Sequence, residues 1–200
     1  MHRDALFYRH LILWLWFAWA LVWAVGALRS KATRRRESLG SRLAHVVPLL
    51  IGGALLAWPD RPWRALAWRL WPPSSVAQGI GVALVIAGLA FTVWARVHLG
   101  RNWSGTVTVK QDHELIRTGP YARVRHPIYT GLIAALLGIT IASGTVHAAL
   151  GMAIIVLSLV RKSRVEEDFM RATFPGEYQR YSAQVPALIP FAKPPRPAAR

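Results

Sequence analysis

The chain has 200 residues, 54% of them hydrophobic, with 10 Trp, only 17% charged residues and a formal net charge of +16. It has no cysteine, which excludes disulfides, thiolate metal sites and cysteine nucleophiles. A basic soluble chain would suggest nucleic acid, but here the charge lies between apolar runs approaching the ~20 residues that cross a bilayer, which assigns it to loops facing anionic lipid and sets nucleic acid aside.

The first apolar run is Leu11 to Leu28, and Leu6, Phe7 and Tyr8 before it extend it to spanning length. It follows Arg3 and Arg9, as a cleaved leader would. It is longer than the ~7–15 residues of a leader core and rich in Trp, and no clear cleavage site follows, so we read it as a retained helix. Trp14, Trp16, Trp19 and Trp23 do not share one helical face and read as lipid-facing and packing residues. The basic stretch Arg29 to Arg42 then reads as a cytoplasmic stop-transfer loop. A shorter run from His45 to Trp58 carries Pro48 and Gly52-Gly53, which suggest a kink or close helix packing. In Asp60 to Ser75, Trp63, Trp68 and Trp71 alternate with arginines and prolines, as in an interfacial segment at headgroup depth.

The third run, Val76 to Leu99, contains Gly79, Gly81 and Gly88. The Gly-Ile-Gly within it lacks the third glycine and preceding strand of a dinucleotide fingerprint, so these small residues read as helix-packing sites. His98 reads as interfacial, since no partner stands at metal-ligand spacing. The polar loop Gly100 to Arg125 follows, with an alternating Thr-Val-Thr-Val that suits a short extended piece. Ile128 to Ala142 is the fourth run, Ser143-Gly144-Thr145 a turn, and Val146 to Val160 the fifth run. The fifth continues without Pro or Gly through Glu166, Glu167 and Asp168 to Phe174, predicting a helix that projects beyond the membrane and stops at Pro175-Gly176. The end from Lys193 onward has a disordered composition.

The fold class expected is therefore all-α integral membrane, with about five transmembrane helices. Residues 1–75 form an N-terminal hairpin and interfacial segment, residues 76–192 a core, and residues 193–200 a tail. Six Lys and Arg lie in Arg29–Arg42, six in Arg96–Arg125 and eight from Arg161 onward. Five spans with the N-terminus outside put all of these in the cytoplasm, predicting an inner or plasma membrane protein with a cytoplasmic C-terminus.

That topology places the loop His113–Gly131 on the same face as the end of the fifth helix. The fourth and fifth helices form a hairpin, so Arg125, His126 and Tyr129 can approach Glu166 and Glu167. Pro127 suits the first position of a helix and pushes His126 toward an extended shape. Gly131 in the following turn would let a ligand approach the backbone. Carboxylates bind ribose hydroxyls or an ammonium, arginine pairs with a carboxylate, and aromatic rings hold a cation such as a sulfonium. S-adenosylmethionine carries all of these groups. The plainer reading of the same charges is a membrane anchor in which Arg125 and Glu167 neutralise each other.

An ordered set of motifs adds to this. It comprises LGRNWSG at Leu99–Gly105, HELI at His113–Ile116, GPY at Gly119–Tyr121 and RHPIYTG at Arg125–Gly131. Glu166–Glu167, FPGEY at Phe174–Tyr178, Tyr181 and the V-P-x-L-I-P ending at Pro190 complete it. From Leu99 onward the chain resembles the isoprenylcysteine carboxyl methyltransferase family and its wider phospholipid methyltransferase relatives. The resemblance implies a polytopic membrane enzyme using S-adenosylmethionine, with no metal and a lipophilic methyl acceptor reached from the bilayer. It implies a cytoplasmic cofactor site built from the loop before the fourth helix and the extension of the fifth. His113, Glu114, Leu115, Ile116, Gly119, Pro120, Tyr121, His126, Pro127, Ile128, Tyr129, Gly131 and Glu166 are the expected cofactor residues. Arg125, Lys162 and Glu167 are the expected catalytic group. Lys162 stands where the family usually has an arginine facing the substrate carboxylate, replacing a planar fork by a point charge. The expected reaction is carboxyl O-methylation of a lipophilic or isoprenylcysteine-type acceptor. The alternatives are phospholipid N-methylation, S-methylation of a small thiol, or a non-catalytic protein that keeps the fold.

Overall fold

A computed structural model describes residues 2–27, 33–36, 38–57, 66, 68–100, 103, 108–110 and 115–192. The helices are α1 (His2–Ala27), α2 (Leu39–Ala57), α3 (Ser75–Leu99), α4 (Pro127–Ser143), α5 (Val146–Thr173) and α6 (Glu177–Gln184). Two short strands, β1 (Thr33–Arg36) and β2 (Thr108–Lys110), pair antiparallel. Helices over residues 6–27, 39–57, 75–99 and 146–173 are long and apolar enough to cross a membrane, and the chain is an integral membrane protein. The fourth apolar run forms a 17-residue helix, roughly 25 Å at 1.5 Å per residue. It is cut short by Pro127 at its first turn and by Gly144, whose left-handed φ of 64° closes its C-terminus.

The second helix starts six residues before the expected His45, because Ser38 caps it: the Ser38 hydroxyl accepts from the Ser41 amide at 3.2 Å. Pro48 lies inside it. The expected extended piece is present as β2, and its partner β1 lies in the first basic loop. One strand pair therefore modifies the all-helical expectation and joins two loops that the sequence kept apart.

Glycines set the helix order. A Cβ at Gly88 of α3 would lie 2.5 Å from the Gly131 carbonyl oxygen of α4, and one at Gly81 the same distance from that of Gly138. The two contacts are two turns apart on antiparallel helices, so the backbones of α3 and α4 touch along a seam that admits no side chain. A second clasp joins α2 to α5, where a Cβ at Gly52 would lie 2.7 Å from the Gly151 carbonyl oxygen. There the Ser158 hydroxyl also donates to the His45 carbonyl at 2.9 Å. α1 lies on α3, where the Trp19 indole donates to the Thr92 hydroxyl at 2.7 Å. Gly79, grouped with Gly81 and Gly88 as a packing site, has no atom within 4 Å of the position a Cβ would take.

The described part of the interfacial segment caps the hairpin turn between α4 and α5. The Leu70 amide donates to the Gly144 carbonyl at 2.7 Å and the Val146 amide to the Trp68 carbonyl at 2.9 Å. The Trp71 indole reaches the Ile141 carbonyl at 3.1 Å. The Ile141 and Gly144 carbonyls at the end of α4 and the Val146 amide at the start of α5 are groups that helix termini otherwise leave without partners. With that turn fixed, the opposite ends of α4 and α5 are held side by side.

Candidate active site

Pro127 opens α4 and His126 is its N-cap, with φ −122° and ψ 62°. On α5, Lys162 and Glu166 are one helical turn apart, with Glu167 following. The hairpin brings both sets together. The Arg125 guanidinium donates to Glu167 Oε1 through Nε at 3.0 Å and through Nη2 at 2.7 Å. Its Nη1 donates to the Ser182 carbonyl at 3.0 Å and to the Val185 carbonyl. Glu167 Oε1 also meets His126 Nε2 at 3.1 Å, while Oε2 accepts from Arg171 at 3.0 Å. Glu167 is thus a buried hub with its side chain 9% exposed.

Its neighbour Glu166 is more open, with its side chain 26% exposed. The Tyr129 hydroxyl donates to its Oε1, its Oε2 lies 3.5 Å from His126 Nδ1, and Lys162 Nζ stands 4.0 Å from Oε1. The His126 and Tyr129 rings stack with centroids 5.5 Å apart and planes 4° from parallel, and Lys162 Nζ sits 5.7 Å from the Tyr129 ring centre. Burial disfavours an imidazolium at His126, but the hydrogen bonds to Glu166 and Glu167 and the charges of both carboxylates outweigh it. The imidazole pKa is therefore raised above its ordinary 6.5.

Beside this cluster the turn Gly119–Ala122 forms one winding of 3-10 helix. Gly119 has φ 59°, and the space a Cβ would take is filled by the His98 ring. His98 Nε2 lies 2.9 Å from the Thr118 hydroxyl. So His98, read from sequence as interfacial only, packs on the turn. The Tyr121 carbonyl accepts from the Tyr181 hydroxyl at 2.6 Å. Burial, with the charges of Glu166 and Tyr181, pushes the Tyr121 phenol well above its ordinary pKa, so it stays neutral.

Arg125, His126, Tyr129, Lys162, Glu166 and Glu167 are thus gathered in one cluster, with Gly119, Pro120 and Tyr121 bound to it through α6. Leu115 and Ile116 are half-buried, Pro127 is fully buried and Ile128 packs on the apolar core of α4 and α5. His113 and Glu114 lie outside the described residues. Gly131 is corrected: the space beside it belongs to Gly88 and Thr92 of α3, so its lack of a side chain serves helix packing and not a ligand. Arg125 also differs from a free carboxylate receptor, because four of its donors are already engaged within the protein.

Two groups were missed. Arg171 stands one turn beyond Glu167, at the i,i+4 spacing that allows their bond. The segment Val185–Leu188 crosses the start of α4: the Arg125 amide donates to the Pro186 carbonyl at 2.8 Å and the His126 amide to the Ala187 carbonyl at 3.0 Å. The Thr130 hydroxyl donates to the Leu188 carbonyl at 2.6 Å. The V-P-x-L-I-P motif marked this segment without revealing its task. Among the described residues, no group of three or more His, Asp or Glu is placed to hold a metal ion.

Fold and cluster together define a helical membrane protein with a cluster of ionisable residues where one helix hairpin opens. The family model for the isoprenylcysteine carboxyl methyltransferase (ICMT) family matches residues 81–172, and over that stretch the chain is similar to this family. It is 25% identical over 117 residues to the Arabidopsis thaliana protein-S-isoprenylcysteine O-methyltransferase B, covering 57% of this chain and 59% of the relative. It is 29% identical over 120 residues to the protein-S-isoprenylcysteine O-methyltransferase of Schizosaccharomyces pombe, covering 58% and 51%. The chain spans about half the length of the curated relatives it matches. The structure of a eukaryotic intramembrane Ras methyltransferase aligns with 78% of this chain and 54% of its own, at 23% identity and a TM-score of 0.49.

Proposed function

We propose that this protein is a membrane methyltransferase that uses S-adenosylmethionine to methylate a carboxylate on a lipophilic, isoprenylcysteine-type acceptor. The observation that carries the reading is the pairing of His126 and Tyr129 with Glu166 across the mouth of the α4–α5 hairpin, inside the segment the family covers. The residues suit the cofactor chemically. Glu166 offers a partly open carboxylate to an ammonium or a ribose, and the stacked His126 and Tyr129 rings offer a π face. Pro120 and Tyr121 supply a buried turn beside them, and His113 to Ile116 complete the set by resemblance. When bound, S-adenosylmethionine supplies an electrophilic methyl group on a sulfonium.

The chain's own work is alignment and dehydration. A carboxylate acceptor is already ionised at neutral pH and needs no general base, so positioning it in line and excluding water carry the rate. Lys162, beside Glu166 and facing the Tyr129 ring, is the cation we assign to the acceptor carboxylate. Arg125 is assigned a positioning role, since it acts through Glu167 and the crossing segment. We place this site on the cytoplasmic face, with the N-terminus outside, on the distribution of basic loops.

Purified protein in lipid nanodiscs is expected to bind S-adenosylhomocysteine in the micromolar range, and His126→Ala and Glu166→Ala each to abolish binding. No binding by the unmodified protein in either detergent or lipid overturns the reading. With a labelled methyl donor, a prenyl-cysteine analogue is expected to take up base-labile label. Base-stable label in a lipid extract would instead establish N-methylation of a phospholipid headgroup.

A further inference from the structure

The crossing segment ends in a feature that no part of the proposed chemistry uses. Ile189, Pro190, Phe191 and Ala192 form a tight turn in which the Ala192 amide donates to the Ile189 carbonyl at 3.3 Å. Pro190 holds the second position and Phe191 the third, with φ 65°. That is the type II pattern, whose third position is normally glycine or asparagine. A phenylalanine there is sterically unfavourable, and it is 94% exposed, with Ile189 70% exposed beside it. The backbone cost is the same in any solvent, whereas the uncovered apolar surface of Ile189 and Phe191 is unfavourable in water and is relieved in lipid.

Its place in the fold supplies the missing environment. Leu188 is tied through its carbonyl to Thr130 in the first turn of α4, and Ala187 to the His126 amide. The turn is thus held at the level where the apolar α4 begins, which is where a bilayer's headgroups meet its acyl chains. The sequence after it continues Lys193-Pro-Pro-Arg196, a basic stretch complementary to anionic lipid. We infer that Ile189–Phe191 is an interfacial anchor that inserts into the bilayer at the mouth of α4 and holds the Val185–Leu188 segment across the site. The occupant of this surface is lipid.

The chain contains no cysteine, so a single introduced thiol reports one position. Ala192→Cys, labelled with an environment-sensitive fluorophore, is placed in phosphatidylcholine–phosphatidylglycerol vesicles containing lipids with a doxyl quencher high or low on the acyl chain. Gln179→Cys on the exposed face of α6 is the reference. The expected result is blue-shifted emission at position 192, quenched several times more strongly by the shallow quencher than at position 179, and lost in Ala192→Cys/Phe191→Ser. Labelled Ile189→Cys gives a second site should the first disturb the turn. Emission and quenching equal to those at Gln179 overturn the anchor. Blue-shifted emission that no lipid quencher reaches also overturns it, since the cover would then be protein.

Discussion

Two residues of α4 separated by one position, Tyr129 and Gly131, belong to two different kinds of structure. Gly131 faces α3, where it meets Gly88 backbone to backbone. Tyr129 faces α5, where its hydroxyl donates to Glu166. The seam with α3 is made at its closest points of backbone and the Thr92 methyl group and depends on shape: contact is gained only while nothing larger than hydrogen stands at its glycines. The site toward α5 depends on charge: Arg125, His126, Lys162 and Arg171 surround two carboxylates, and each group is held by what the others present. The seam forgives no added volume, whereas the cluster forgives no missing partner. One helix serves both because its first turn presents one face to each neighbour.

Three tests probe that contrast, in order of expected effect. Arg125→Ala leaves Glu167 as a buried charge without its main partner and releases the Ser182 and Val185 carbonyls. Losing one member of a buried pair costs about 3–5 kcal/mol, so thermal unfolding in detergent is expected to shift far downward or lose cooperativity. Arg125→Lys retains the charge but not the fork, and is expected to fall between. An Arg125→Ala protein as stable as the unmodified one would mean that the crossing segment holds without the guanidinium. Next, Gly88→Val places two methyl groups against the Gly131 carbonyl, and overpacking of this kind costs about 1–3 kcal/mol. Gly79→Val, on the same helix with open space beside it, is expected to leave the melting temperature nearly unchanged. Equal losses at the two glycines would remove the seam as a distinct region.

The third and mildest test uses pH. The His126 pKa is raised in the folded state, so the folded protein holds this proton more tightly than the unfolded chain. Its stabilising contribution is fully present below the ordinary value of 6.5 and is lost as pH rises through the folded value. Melting temperature is therefore expected to decline from pH 6 upward by more than in His126→Gln, whose curve should be flatter across that window. Identical pH profiles would show that the imidazolium is not held by the two glutamates.

The sequence made part of this legible for reasons that can be named. The apolar runs announced the helices because a bilayer-facing surface must be apolar at every position. The approach of Arg125 and His126 to Glu166 and Glu167 was legible because a three-residue turn forces α4 and α5 to be neighbours. Gly88 and Gly81 were read correctly as packing sites, but Gly131 was not, since a glycine carries no mark of which neighbour it faces. The β1–β2 pairing and the crossing of Val185–Leu188 over α4 were also hidden. Both join segments far apart in the chain through backbone hydrogen bonds, which leave no trace in side-chain pattern.

The clasp between Gly52 and Gly151 bears on how the chain is made. The two glycines are 99 positions apart, so at translation rates of about 5–20 residues per second, α2 is complete roughly 5–20 s before the helix it fits has been synthesised. During that interval its glycine face is open to lipid or to whatever attends the nascent chain. Ribosome-bound chains halted after α4 should therefore expose Gly52 to crosslinking from neighbouring proteins, and chains halted after α5 should not.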